Sequence, residues 1–228
     1  MMVGGGTSVM GSLQTRRFKI LILPMIIAVA VACGGGSEHA EAEREYDKAE
    51  SLLAQGSMRK AGEAYNLALG LDADYAEAYV GRSRVFLAFD NPVSAVADLD
   101  RAISLDPGLA AAYSYRGVAH MSSGDTGSAM LDLTKAIQVD PKLVDAHLFR
   151  ARLNAADDNI EAAIEDMGSA ISLSPRSDAL HMERAQMHLA AGDTGGAIAD
   201  LEKVLSLTQV EEIQVQAKRL LAQLGVGR

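Results

Sequence analysis

The chain predicts an all-α solenoid of stacked helical pairs, and three observations carry that reading. Pro107, Pro141 and Pro175 stand at one equal interval of thirty-four and close near-copies of one phrase, ISLDP, IQVDP and ISLSP. Hydrophobic residues make up 49% of the chain but aromatic ones only 4%, with no Trp, which suits closely packed short helices better than a large catalytic core. Small residues recur on the same beat without gaps: Ala49, Ser83, Gly117, Ala151 and Ala185, then Ala61, Ala95, Ala129, Ala163 and Ala197. Backbones approach closely only where side chains are small.

The first element is a leader. Arg16, Arg17 and Lys19 flank a 13-residue apolar run, Ile20 to Ala32, which is too short for a membrane span of roughly 20 residues and has the form of a signal-peptide core. Residues 1–32 are therefore expected to be removed. The run ends at Cys33, the only cysteine, so an intramolecular disulfide is impossible and a thiol-based metal cluster is not expected. Gly34, Gly35, Gly36 and Ser37 follow, and residues 33–41 are expected to form a flexible linker.

Five units come next, 42–75, 76–109, 110–143, 144–177 and 178–211. In each, spacings of three and four put the small residue and a larger partner on one helical face: Tyr79, Tyr113, His147 and His181 in first helices, Tyr65, Leu99, Leu133, Met167 and Leu201 in second helices. Turn signals separate the two helices at Gly56, Asp90-Asn91, Gly124-Asp125, Asp157-Asp158-Asn159 and Gly192-Asp193. A second regularity is the pair Arg82/Asp98, Arg116/Asp132, Arg150/Asp166 and Arg184/Asp200, always at the same separation and in the same frame. In an antiparallel hairpin that spacing can join guanidinium to carboxylate and fix helix register. Solvated surface charges, the plainer alternative, would contribute about 0–1 kcal/mol each. The first unit has Lys48 and Ala64 in those places and is expected to be the loosest. Beyond the last unit, Thr208 to Glu211 has the form of a capping box, and Ile213, Ala217, Leu220, Leu221 and Leu224 follow at helical spacing. Residues 212–228 are expected to supply a capping helix and tail over the open end.

Charge narrows the partners. The formal net charge is −9, and the leader holds three bases and no acid, so the remainder carries −12. Nucleic acid and anionic lipid headgroups are repelled by such a body. No GxGxxG, GxxxxGK[ST], HExxH or CxxC motif is present, so no enzyme activity and no cofactor are expected. His120, His147, His181 and His188 fall on first helices. His147 and His181 occupy the slot of Tyr79 and Tyr113, which reads as packing rather than a metal site.

Two resemblances extend this reading. Ala30-Val31-Ala32-Cys33 resembles the bacterial lipobox, which implies a signal peptide cleaved before a diacylated Cys33 and attachment to a membrane through lipid. Gly34 after the cysteine implies the outer membrane, facing the periplasm, if the organism has one. The aromatic, small residue, alanines and closing proline of residues 42–211 resemble the tetratricopeptide repeat. That resemblance implies a right-handed superhelix whose first helices line a concave, protein-binding groove.

The groove positions then read as Tyr46, Val80, Ser114, Leu148 and Met182; Glu50, Arg84, Val118, Arg152 and Gln186; and Leu53, Leu87, Met121, Ala155 and Leu189. The Lys/Asn set that clamps a chaperone's terminal carboxylate is missing. An apolar groove with two arginines suggests a peptide or helix carrying hydrophobic anchors and an acid. The expected partners are other envelope proteins or a second copy of the chain, and the expected role is a lipid-anchored scaffold. A carrier of a small ligand or metal, using the groove and the histidines, is the alternative.

Overall fold

The computed structural model describes the backbone of residues 23–226 and the side chains of residues 37–226. The leader over residues 1–32 and the lipidation position Cys33 lie outside the fully described residues. Among the described residues there are eleven helices and no strand, and no helix is long and apolar enough to cross a membrane. First helices are α1 (Leu23–Ala54), α3 (Ala76–Ala88), α5 (Ala110–Ser122), α7 (Val144–Ala156) and α9 (Asp178–Ala190). Each pairs with a second helix: α2 (Met58–Leu71), α4 (Pro92–Leu105), α6 (Thr126–Val139), α8 (Ile160–Leu173) and α10 (Thr194–Leu207). α11 (Glu211–Gln223) closes the series.

Hairpin turns are built the same way five times. One residue in left-handed conformation ends each first helix: Gly56, Asp90, Gly124, Asp158 and Gly192, with φ between 55° and 79°. The next residue sends its N–H back five positions, as Asn91 does to Phe86 O at 2.9 Å and Asp193 to His188 O at 2.8 Å, satisfying carbonyls that the helix end leaves open. That same residue starts the second helix. Asn91, Asp125 and Asp193 accept from the N–H of Ser94, Ser128 and Gly196, so one residue ends a turn and caps a helix.

Close approach follows from the small residues. Ala49, Ser83, Ala151 and Ala185 are wholly buried, as are Ala61, Ala95, Ala129, Ala163 and Ala197. At Gly117 even a Cβ would lie 2.8 Å from Leu133 Cγ. Larger side chains fill the space beside these contacts, with Leu99, Leu133, Met167 and Leu201 fully buried.

Each of units two to five holds its Arg–Asp pair as a two-pronged fork. Arg150 Nε and Nη2 donate to Asp166 Oδ2 and Oδ1 at 2.9 and 2.6 Å. Arg82 grips Asp98, Arg116 grips Asp132 and Arg184 grips Asp200 through the same atoms at 2.7 to 2.8 Å. The surface-charge alternative is thereby corrected. Asp98, Asp132, Asp166 and Asp200 are all buried, because the hairpin crossing carries the second-helix position inward against the first helix. Arg82 and Arg116 use a third nitrogen to reach Asn66 and Asp100 on the preceding unit, so the fork also ties neighbours together. In the first hairpin, which has no fork, rings take over: Tyr46 lies 5.9 Å from Tyr65 and 5.2 Å from Tyr75, and His39 lies 5.5 Å from Tyr75.

Two further expectations are corrected. The sequence reads residues 33–41 as a flexible linker, whereas α1 is helical throughout that stretch. Burial of Ala42 and Ala49 secures the helix, upstream turns add by propagation alone, and His39 pins them by pairing with Asp72 at 2.5 Å. The capping box at Thr208 does not form: Val210 precedes α11 without a side-chain cap. Thr208 ends α10, and its hydroxyl accepts from Val210 N–H instead, with Gln214 Nε2 donating to its carbonyl.

Removing one member of a buried fork leaves a charge without a partner. Asp166→Ala is expected to lower stability by about 2 kcal/mol in urea unfolding. Asp74→Ala breaks the exposed Arg101–Asp74 pair and is expected to lower it by under ~1 kcal/mol. Asp200 adds a pH dependence. Burial opposes its ionisation, but hydrogen bonds from Arg184 and His181 outweigh that and hold its pKa below the ordinary carboxylate value. Its contribution is therefore complete above the unfolded value of about 3.9 and is lost as pH falls through the folded value. Urea midpoints measured against pH should show Asp200→Asn weaker at neutrality, with a shallower acid decline than the wild type.

Candidate functional site

The face of each first helix turned from its partner lies on one side of the solenoid, and an open depression lies there between units one, two and three. Glu50, Leu53 and Ala54 of α1, Met58 of α2, Arg84 and Leu87 of α3, and Tyr115 and Val118 of α5 enclose about 400 Å³. Its floor is apolar. Its rim is a polar chain that crosses three units. Tyr65 Oη donates to Glu50, Arg84 Nη1 donates to both Glu50 oxygens at 2.8 and 3.0 Å, and the Arg84 guanidinium sits 5.7 Å from the Tyr115 ring centre. Tyr115 Oη in turn donates to Asp145 at 3.2 Å, and its own pKa is pushed up to about 12 by burial and by the Asp145 charge.

The groove residues named from sequence divide into three sets. Glu50, Leu53, Arg84, Leu87 and Val118 line the depression. Tyr46, Leu148, Met121 and Leu189 are half-buried, and the first three pack against the cores beneath them. Val80 and Met182 are buried and belong to the core, as is Ser114, so they do not present a binding ridge. Helix geometry explains the correction: a residue three before the small contact residue lies about 60° round the axis from it, inside the buried arc. Residues such as Arg84 and Arg152, one position after, lie about 100° round and reach the surface.

The two groove arginines are also corrected as anchors for an acidic ligand. Arg84 is held by Glu50, and Arg152 Nε and Nη2 bind Glu183 at 2.9 and 2.5 Å. Each already has its carboxylate. The fork aspartates Asp98, Asp132, Asp166 and Asp200 are likewise closed to a ligand, being buried and held by their own arginines. Tyr115, Met58 and Ala54 line the depression and were missed by the ridges; Phe149 packs 5.9 Å from Tyr115 and beneath Arg152. Tyr115 and Phe149 hold the same place in successive units, and that shared register was the available signal.

The histidines serve the scaffold. His147 Nε2 donates to Pro141 O at 3.0 Å, just as Tyr79 Oη donates to Ala73 O six residues before it. His181 donates to the buried Asp200, and His188 stands beside Asp193 and Asp200. Among the described residues no group of three or more His, Cys, Asp or Glu is placed to hold a metal ion.

Helical hairpins stacked one on the next define a repeat solenoid. A tetratricopeptide-repeat family model matches residues 46–110 and 150–209, more than half of the chain, and the chain belongs to that family. The fold is similar to TTC0263, a thermophilic protein of this family from Thermus thermophilus, at 19% identity and TM-score 0.72, covering 79% of this chain and 99% of that one. It is similar to PilW, a widely conserved type IV pilus biogenesis factor, at 18% identity and TM-score 0.69, covering 82% and 87%. MamA matches at 21% identity and TM-score 0.57, covering 74% and 96%. At these identities the likeness concerns the fold alone. No curated protein sequence matches the chain.

Beside the depression, the first two units exchange bulk. Tyr65 stands where later units have Leu or Met, and opposite it Gly81 stands where they have Tyr115, Phe149 or Glu183. A Cβ on Gly81 would overlap the Tyr65 ring. Gly81→Ala is expected to lower stability by roughly 1–3 kcal/mol in thermal unfolding, and Tyr65→Leu in the same chain to recover most of that loss.

Proposed function

We propose that this protein is a lipid-anchored scaffold of the bacterial cell envelope that binds other proteins through its concave groove. Members of the tetratricopeptide family commonly mediate protein–protein interaction and are generally not enzymes. The observation that carries the reading is the depression at units one to three. It combines an apolar floor with a fixed polar rim, the arrangement that receives a hydrophobic anchor and orients it. Attachment rests on the lipobox-like Ala30 to Cys33, and two or three acyl chains hold a body stably where one does not. Facing the periplasm, from the outer membrane in a diderm cell, the groove would position components of envelope machinery.

In-cell crosslinking tests the face. Photoreactive residues at Leu53, Leu87 and Val118 are expected to capture a partner protein that the same residues at Val93 and Leu131, exposed on second helices, do not capture. Equal yields from both faces would count against groove binding. Cys33→Ala is expected to release the protein from membranes and abolish palmitate labelling, and unchanged membrane partition would sink the anchor.

A further inference from the structure

Accepting the groove as the binding face, the distribution of charge along it points to the chemistry of its partner. On α3, α5, α7 and α9 there is no lysine, and every arginine is already engaged by a carboxylate. The carboxylates are not all engaged in return. Glu43 and Asp47 of α1 and Glu77 of α3 are exposed, and among the described residues no cation forms an ion pair with Asp47 or Glu77. Glu43 meets only His39, at 3.4 Å. Arg44 of α1 lies about 100° round the helix from Glu43 and about 60° from Asp47 and forms an ion pair with neither, and Lys48, about 100° from Asp47, is paired with Glu45.

These three acids converge. All of them act on Tyr75, whose pKa burial pushes up to about 12 and whose anion they further disfavour together with Tyr46. Glu43 precedes Glu50 by seven residues, and Glu77 precedes Arg84 by seven, so these two acids lie two turns, about 10 Å, from the rim of the depression, while Asp47, three residues before Glu50, lies about 5 Å from it. The two-turn separation exceeds the Debye length of about 8 Å at physiological salt, so Glu43 and Glu77 act on cations that a ligand brings beside them rather than on the rim itself.

We propose that the groove of units one to three takes a basic protein segment: an apolar side chain enters the depression, and lysine or arginine residues about 5–10 Å away, roughly two to three residues along an extended chain, lie against Asp47, Glu43 and Glu77. An acidic segment meets repulsion there and finds no free guanidinium, because Arg84 and Arg152 are neutralised inside the groove. Steering by unpaired charge gives selectivity and speeds encounter, and it weakens with salt.

Fluorescence anisotropy on the full chain tests this with three labelled peptides that share a leucine anchor and differ only in flanks of lysine, glutamate or glutamine. The lysine peptide is expected to bind tightest and to lose affinity as salt rises. The exposed triple variant Glu43→Gln, Asp47→Asn, Glu77→Gln, checked by circular dichroism, is expected to weaken it about tenfold and leave the glutamine peptide unchanged. Val118→Trp, which fills the depression with neutral bulk, is expected to weaken the lysine and glutamine peptides alike. Glutamate binding as tight as lysine, or a triple variant without effect, overturns the basic partner. If Val118→Trp still weakens whatever binds, groove docking survives that result; if no peptide binds and groove crosslinks are also absent, both readings fall.

Discussion

Everything in this solenoid depends on how closely the two helices of a hairpin approach. Alanine, serine or glycine at the crossing brings backbones together, and at Gly117 no further atom fits. Such a contact removes little apolar surface, so a single hairpin has too small a core to stand alone and must bury its remaining face on the next one. The same crossing encloses an aspartate in four units: Asp98, Asp132, Asp166 and Asp200. An unpaired carboxylate there would be costly by several kcal/mol, so the arginine on the facing helix is required rather than optional. The fork contributes less as net stabilisation than as a register device: a slip of one residue would leave both charges unmet.

How much of this was legible in sequence depends on whether the determinant repeats. Period, small residues, turns and forks recur from unit to unit, so each unit corroborates the others. The groove was legible only in part. Val80 and Met182 look like surface ridges on a flat projection, but a difference of about 40° round the helix separates them from Arg84. The pairing of Arg84 with Glu50 across one unit, and of Arg152 with Glu183 at a different spacing, occurs once each. No periodicity announces them. Thr208 shows a similar limit: its sequence context fits a cap, but ending α10 had already committed it.

Departures from the pattern gather where the depression forms. The first hairpin lacks the fork, carries Tyr65 in place of leucine, faces Gly81 in place of an aromatic, and substitutes ring contacts for ion pairing. Among the described residues no further hairpin packs on the outer side of the first unit, which leaves it free to differ. Tyr65 shows how that freedom is used. Its ring fills the hairpin core while its hydroxyl passes Gly81 to reach Glu50, so the packing of the first unit sets the rim of the site. Local inconsistency with the repeat is therefore informative in the way that consistency is for the fold.

The acidity of the groove follows from the same construction. Each fork takes an arginine inward to meet a buried aspartate, and Glu50 and Glu183 take the two arginines that point outward. First helices α3 to α9 carry no lysine to replace them. The structural demand for guanidinium at the hairpin crossings thus strips the concave face of free positive charge, and whatever carboxylates remain there set its sign. A scaffold stabilised by arginine forks is left with an acidic groove unless lysines are added to its first helices, and α3, α5, α7 and α9 carry none.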